Sequence, residues 1–391
     1  MKKIKVIYWS PFISKIATVK AVLDSAISLK KYSNDLFKPE ILNVFGEFND
    51  YKKKNLFIRD LSKISISNFL SDKGYFSSRL SFIIIAIYSF FPLLNFLKKE
   101  KPDYLIIHLI TIVPLLINYF FKIDTKIILR ISGLPKITGL RKFMWKFLLS
   151  KIFFITCPTK QTKQYLIDNK IFNKNKIFLL SDPILNINKS RMKLKENFPK
   201  NYGNYIFSAG RLTKQKNFSF LIKSFSIISK KFKNLNLIIA GDGEEYLKLI
   251  SIIKKYKLEE KVKLIGYTKN VFHYMKNSYC FIMPSLWEDP GFVLVEAIFS
   301  RCPVISSNCP NGPQEILSRG KGGYLFQSND VNSLIKTFDN FVYERNNRTN
   351  ELKWKKNTAF KNIKKFTLFN HYMNLSKLIL INDSVKNSEK S

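Results

Sequence analysis

The sequence predicts an α/β protein built from two doubly wound domains. Short apolar runs alternate with amphipathic helical patterns along most of the chain, and that alternation implies parallel sheets covered by helices. With 391 residues the chain exceeds one ordinary domain, so two are expected. A polar, basic stretch at 187–203 separates the two series and reads as a linker.

The first series opens with a strand at Lys5–Trp9, the loop Ser10–Lys15, and a helix with Val19, Val22, Leu23, Ala26 and Ile27 on one face. Strand, loop and helix in that order begin an open sheet whose ligands bind at strand ends. The opening run is too short for a signal h-region and lacks a small-residue cleavage site. Leu80–Leu97 and Tyr104–Phe121 carry no charge and approach membrane-spanning length. Pro92, Asn95, His108, Pro114 and Asn118 interrupt them. The second therefore reads as a strand at Tyr104–His108 followed by a helix. Shallow membrane insertion of the first is favoured over a spanning hairpin. Lys126–Ile131 and Phe153–Cys157 are further strands. Arg141–Leu149 is a basic amphipathic helix whose apolar side would carry Phe143, Met144, Phe147 and Leu148. It suits a half-buried position or a membrane surface equally.

The second series begins with the strand Tyr205–Ala209, and Gly210 permits a tight turn there. Arg211 and Lys216 emerge from the loop that follows, ahead of a helix bearing Phe218, Leu221, Ile222, Phe225 and Ile228. Two cations at a helix start suit a diphosphate. Strand Leu235–Ala240 ends in Gly241-Asp242-Gly243. Helix Glu245–Tyr256, strand Val262–Ile265, helix Val271–Lys276 and strand Tyr279–Met283 come next. Strand Val304–Ser306 and a terminal amphipathic helix from Asp330 to Tyr343 lie further on. A basic helix, Lys353–Phe366, and an apolar one, Leu368–Leu380, complete the pattern, and the tail from Asp383 is expected to be disordered.

Between the last two strands lies the stretch around which this half is organised, Trp287-Glu288-Asp289-Pro290-Gly291-Phe292-Val293-Leu294-Val295-Glu296-Ala297. A buried strand ends, the chain turns at Pro290-Gly291, and a helix starts whose first backbone N–H groups favour an anion. Glu288 falls on the loop and Glu296 about one turn into the helix. Carboxylates accept hydrogen bonds from hydroxyls, so a ligand carrying both hydroxyls and phosphate fits, as a sugar nucleotide does. Past Ser306, Gly312 lets the backbone approach a ligand at the start of a short helix that includes Glu315.

The formal net charge is +38. Nucleic acid, an anionic membrane or an anionic substrate would each answer it, and a composition rich in Lys, Asn, Ile and Phe accounts for part of it. The aromatics lie in apolar runs and no nucleic-acid motif is present, so nucleic acid is not an expected partner. Cys157, Cys280, Cys302 and Cys309 show no CxxC spacing and only three His accompany them. Neither a metal site nor a disulfide framework is expected, and reduced thiols are the default.

Gly210-Arg211-Leu212-Thr213-Lys214-Gln215-Lys216-Asn217, Gly241-Asp242-Gly243, Glu288 with Glu296, and Gly312-Pro313-Gln314-Glu315-Ile316 occur in that order. Together they resemble the donor-binding domain of retaining glycosyltransferases of family four. The resemblance implies the GT-B fold: two Rossmann-like domains facing each other across a cleft, with a C-terminal helix crossing back to the first. The expected boundaries are 1–190 for an acceptor-binding domain, 204–365 for a donor-binding domain, 366–382 for the returning helix and 383–391 for the tail. By the same resemblance Arg211 and Lys216 bind the donor diphosphate, Glu296 the ribose and Glu288 the donor sugar. Gly291 and Phe292 offer backbone amides to sugar and phosphate. Two departures stand out. Ser14-Lys15-Ile16-Ala17 replaces the usual Gly-Gly pair after the first strand, and Arg301 replaces a small residue before Cys302-Pro303-Val304.

The implied activity is metal-independent transfer of a hexosyl group, with retention, from a nucleotide sugar (UDP-linked) to a glycan or lipid-linked acceptor, as in bacterial lipopolysaccharide synthesis. No resident cofactor is expected; the nucleotide sugar is a co-substrate. The expected location is cytoplasmic, peripheral on the inner face of an anionic membrane. A sugar-nucleotide epimerase of the same fold and a non-catalytic basic binding protein are the alternatives. His108, alone in an apolar run, reads as structural rather than as a substrate contact.

Overall fold

The computed structural model describes residues 3–13, 17–52, 57–62, 70, 75–196 and 202–388. Ser14, Lys15 and Ile16, which stand where the Gly-Gly pair is usual, lie outside the described residues. The chain divides into two compact units: 1–184 together with 368–391, and 185–367.

In the first unit β1 (Ile4–Trp9), α1 (Ala17–Tyr32), β2 (Phe37–Asn43), β3 (Ile58–Asp60), α2 (Tyr75–Glu100), β4 (Tyr104–Ile107), α3 (Ile112–Phe120), β5 (Lys126–Arg130), α4 (Gly139–Leu148), β6 (Phe154–Cys157), α5 (Lys160–Asp168) and β7 (Ile177–Leu179) follow one another. Seven parallel strands pair in the order β3-β2-β1-β4-β5-β6-β7. The two-residue period sends successive side chains to opposite faces. Ile7, Trp9, Leu105 and Ile107 enter one core, and Val6, Tyr8, Tyr104 and Ile106 the other. β4, fully buried, lies between β1 and β5, so Tyr104–Phe121 forms a core strand and helix as expected and no spanning hairpin forms. Leu80–Leu97 falls within the single helix α2, which runs through Pro92.

Three of the four residues expected on the apolar side of α4 are turned outward. Trp145 and Leu148 face the core, whereas Phe143, Met144 and Phe147 are exposed. The helix is apolar on two faces, and the hydrophobic pattern alone does not say which one the sheet covers.

In the second unit α6 (Ile187–Lys195), β8 (Asn204–Ala209), α7 (Phe218–Lys231), β9 (Leu235–Ala240), α8 (Tyr246–Lys255), β10 (Val262–Leu264), α9 (Val271–Asn277), β11 (Cys280–Met283), α10 (Phe292–Phe299), β12 (Val304–Ser307), α11 (Pro313–Ile316), β13 (Tyr324–Phe326), α12 (Val331–Asn347) and α13 (Thr349–Asn362) succeed one another. Six parallel strands pair as β10-β9-β8-β11-β12-β13. The stretch read as a linker is in large part the helix α6. Its N-terminus is capped by Asn186, whose side chain accepts from Lys189 N. Asn270 Nδ2 donates to Lys193 O at 2.8 Å and to Glu196 Oε2 at 2.6 Å, fastening α6 near the start of α9.

α14 (Leu368–Ser388) belongs to the first unit. Leu375 and Ile379 enter the core beside α1, and Phe369 meets Tyr32 edge-on at 5.2 Å. The helix runs past 382 into the stretch expected to be disordered. Asn382 to Lys386 contains no Gly or Pro to stop it.

Candidate functional site

In an open parallel sheet, ligands bind outside the carboxyl ends of the strands at the point where strand order reverses. In the second unit that point lies between β8 and β11. Every motif residue of this unit follows the end of β8, β9, β11 or β12. The loops are tied backbone to backbone: Leu212 N donates to Asp242 O at 2.8 Å, Leu286 N to Gln215 O at 2.8 Å, and Glu288 N to Pro310 O at 3.1 Å.

The structure brings Lys216 and Glu288 together. Lys216 Nζ lies 2.6 Å from Glu288 Oε1, and both side chains are largely withdrawn from water, at 15% and 4% exposure. Ser285 Oγ donates to the same carboxylate oxygen at 2.5 Å. Ser285 is held in turn by Ser307, whose hydroxyl donates to its carbonyl at 2.6 Å. The Lys216 stem lies over Gly210: a Cβ there would stand 3.3 Å from it.

Two glycines permit close backbone crossings. A Cβ on Gly241 would overlap the Gly210 carbonyl oxygen, and one on Gly312 the Pro290 carbonyl oxygen; both residues have positive φ, +142° and +148°. What Gly312 approaches is thus the neighbouring loop. Asn311 Nδ2 adds a bond to Asp289 Oδ1 at 2.7 Å on the same seam.

Gly291, with φ of +110°, precedes α10 and has no side chain with which to cap it. The N-terminal dipole of α10 favours an anion beside the Lys216–Glu288 pair. Phe292 occupies the first turn, half-buried, and Glu296 is buried further along the same helix. Arg211 is exposed, and no hydrogen bond or ion pair fixes its side chain among the described residues. Glu315 is half-buried on α11, near the end of β12. Arg301 stacks its guanidinium on Phe360 at 3.6 Å and donates to Asn357 Oδ1 at 3.0 Å.

Sequence reading did not single out Gln215, Ser285, Ser307 or Asn311. Gln215 donates from Nε2 to Trp287 O at 2.9 Å as well as accepting from Leu286 N. The available signal was position: each sits within a few residues of a strand end carrying a motif. Burial pushes the Cys309 thiol up to about 12, so it is protonated at neutral pH and no nucleophile.

The first unit has its own reversal point, between β1 and β4. His108 follows β4, with its N–H bonded to Trp9 O at 2.9 Å. Burial, with Arg130 and His371 nearby, holds its imidazole well below the usual range. A small cavity is lined by His108, Arg130, Asp182, His371, Ser25 and Thr156. Arg130 donates to Asp182 Oδ1 and to Leu180 O, each at 2.6 Å.

Residues 189–359 match the family described as glycosyl transferases group 1. An uncharacterized glycosyltransferase of Methanocaldococcus jannaschii is 35% identical over 248 residues, which are 58% of this chain and 61% of that one. The chain thus spans less than two thirds of that relative's length. An amylovoran biosynthesis glycosyltransferase of Erwinia amylovora is 26% identical over 63% of this chain and 70% of its own. Among solved structures, HepE of Anabaena, in complex with UDP and glucose, superposes with a TM-score of 0.72 at 14% identity, covering 96% of this chain and 99% of its own. That likeness gives the fold, GT-B. Residues 189–359 are thus similar to that family, and the fold of the chain is GT-B.

Proposed function

We propose that this chain is a retaining glycosyltransferase that moves a hexosyl group from a UDP-linked donor to the growing glycan of a bacterial surface polysaccharide, such as lipopolysaccharide. The observation that carries the reading is the Lys216–Glu288 pair at the carboxyl ends of β8 and β11, beside the start of α10. A cation, a helix dipole and a carboxylate meet where a sugar diphosphate would need them. The glycosyltransferase relatives, one named for polysaccharide biosynthesis, and a neighbour holding UDP and glucose support the same reading.

In this mechanism the bond between the anomeric carbon and the diphosphate oxygen breaks, and the diphosphate leaves with the electron pair; the acceptor hydroxyl oxygen bonds to that carbon and its proton passes to the departing diphosphate. Lys216, Arg211 and the α10 N-terminus, through Gly291 and Phe292, take up the charge that develops. Glu288 holds the sugar hydroxyls and Glu296 the ribose. Gly210, Gly312 and Glu315 shape the surrounding loops. Retention rests on the resemblance carried by the motifs. The two cations supply the charge that a metal supplies elsewhere, so transfer proceeds without metal or cofactor. The four cysteines are all free, which fits a reducing cytoplasm.

The test is calorimetric titration with UDP, GDP, ADP and CDP, then turnover of the matching sugar nucleotides with and without excess chelator. UDP should bind, and activity should survive the chelator. Binding of none of these nucleotides would remove the reading. Loss of turnover in EDTA, restored by manganese or magnesium, would remove its metal-independent form.

A further inference from the structure

The helices α2, α3 and α4 form one layer over the sheet of the first unit. Leu93, Leu94 and Leu97 of α2, Val113 and Leu115 of α3, and Trp145 and Leu148 of α4 all enter the same core. The opposite face of the layer is apolar as well. On α2, Leu80, Ile83, Ile87 and Phe91 recur at three- and four-residue spacing, which lines them along one side of a helix. Ile87 is 72% exposed and Phe91 68%. Phe120, at the end of α3, is 69% exposed, and Phe143 and Phe147 of α4 are 61% and 48% exposed. Phe90 of α2 meets Phe121, just past α3, at 6.1 Å, and Phe143 and Phe147 pair along α4 at 4.8 Å. Apolar surface of this extent on a soluble unit marks an interaction site.

Charge says what covers it. Residues 79–151 contain twelve Lys or Arg against three Asp or Glu. Lys98 and Lys99 close α2, Lys122 follows α3, Lys146 lies on α4 and Lys151 follows it, and all five are exposed. A second copy of the chain, packed face to face, would set two basic rims against each other, which is repulsive. Nucleic acid would answer the charge and leave the exposed rings in water. A spanning role for α2 would withdraw Leu93, Leu94 and Leu97 from the core they help to fill, although α2 is long and apolar enough to cross a membrane. An anionic bilayer satisfies both features: exposed aromatics enter the boundary of the acyl region while lysines meet headgroup phosphates.

We propose that the outer face of α2, α3 and α4 docks on an anionic membrane surface. Ile87, Phe91, Phe120, Phe143 and Phe147 form the inserted ridge, and Lys98, Lys99, Lys122, Lys146 and Lys151 form the electrostatic rim. The docking stands on its own observations. Its corollary, that the acceptor is carried on a lipid, rests on the transferase reading.

Flotation with phosphatidylcholine vesicles, and with vesicles in which half the lipid is phosphatidylglycerol, tests the docking without reference to activity. The full chain should float with the anionic vesicles at least roughly tenfold better than with the neutral ones. Salt at 1 M, where screening falls to about 3 Å, should release it, and so should alkaline carbonate. The pairs Phe91→Ser with Phe120→Ser and Phe143→Ser with Phe147→Ser should each weaken flotation roughly tenfold or more, and Lys98→Gln with Lys99→Gln should flatten its dependence on anionic lipid. The thermal midpoint of each variant should stay unchanged, because all these side chains are exposed. Flotation that ignores lipid charge and survives carbonate would overturn the proposal in favour of a spanning α2. No flotation, with concentration-dependent dimerisation lost in the Phe variants, would overturn it in favour of a second copy. No flotation, with binding of duplex nucleic acid, would overturn it as well.

Discussion

Lys216 Nζ and Glu288 Oε1 stand 2.6 Å apart, and the contact joins two loops separated by 72 residues of sequence. One loop leaves β8 and the other leaves β11, the two strands that flank the reversal of strand order. A buried ion pair is weak evidence for stability, because desolvation offsets attraction. Here it is better read as a stored position. In the proposed function, Glu288 would hold the ammonium ready until the donor diphosphate takes it.

Replacing Glu288 with Gln keeps the side chain's shape and its bond from Ser285 while removing the charge that competes for Lys216. Free UDP should bind Glu288→Gln more tightly, by about fivefold to tenfold, equivalent to ~1–1.4 kcal/mol, while turnover falls. Calorimetry of UDP binding and steady-state rates on the same preparation give both numbers. Weaker UDP binding with unchanged turnover would mean that Glu288 does not compete for Lys216.

Gly241 and Gly312 make a prediction that is steric rather than electrostatic. A methyl group at either would overlap a carbonyl oxygen of the adjoining loop, at a φ that L-residues rarely adopt. Gly241→Ala and Gly312→Ala should each destabilise the protein by roughly 1–3 kcal/mol, as overpacking does, and should weaken UDP binding because both loops move. Gly139→Ala is the control: nothing lies within 4 Å of the added atom, and the change should be neutral or stabilising by up to ~1 kcal/mol. Thermal melts of the three variants check the order.

Most of the second unit was legible in the sequence because its strands are mainly apolar and several of them, β8 and β9 above all, run into glycine-bearing loops. Leu235–Ala240 and Phe292–Phe299 form over the residues expected. Other elements were not legible, for local reasons. β2 carries Lys38, Pro39 and Glu40, which argue against a strand. The sheet tolerates them because Pro39 pairs in a parallel register and buried Glu40 meets Arg59 Nε at 3.1 Å. α6 is too polar to show a helical face and is held by its Asn186 cap and by Asn270. At the candidate site, glutamates, cations and glycines were visible as residue types at strand ends. That Lys216 reaches Glu288, and that Gly312 serves Pro290, are facts of loop packing that spacing does not encode.

His371 gives the first unit a pH dependence of definite sign. Its Nδ1 faces the Ser181 carbonyl at 2.7 Å and must carry the proton, since a carbonyl only accepts. Its Nε2 lies 2.8 Å from Ser25 Oγ, which in turn meets Tyr8 OH at 2.8 Å. Burial, with Arg130 nearby, brings the imidazole down from 6.5 to about 3. The folded state therefore holds fewer protons here than the unfolded state between those values. The contribution is whole above about pH 6.5 and is lost as pH falls toward 3, at up to ~1.4 kcal/mol per pH unit for one proton. Denaturant unfolding at pH 7, 6, 5 and 4.5 should show that slope in the parent chain and a shallower one in His371→Gln. Equal slopes would show that His371 titrates alike in both states.

The two ends of the proposed donor site should separate in kinetics. Glu296, holding the ribose, would bind ground state and transition state alike, and uniform binding appears in KM. Arg211 and Lys216 would matter most as charge builds on the departing diphosphate, which appears in kcat. Glu296→Ala should mainly raise the donor KM, by the equivalent of roughly 1–3 kcal/mol for a buried group losing its partner. Arg211→Ala or Lys216→Ala should lower kcat roughly 100- to 1000-fold if each acts like one oxyanion-stabilising donor. The geometry sharpens the comparison. Lys216 is already positioned against Glu288, while Arg211 is exposed and must be ordered by the ligand itself. Lys216→Ala should therefore also leave Glu288 unpaired and lower the thermal midpoint, whereas Arg211→Ala should leave it unchanged. Rates, UDP calorimetry and melts on the three variants decide the matter. Near-normal kcat in both basic variants would show that neither side chain stabilises the leaving group, and the diphosphate would then have to be met by the α10 N-terminus alone.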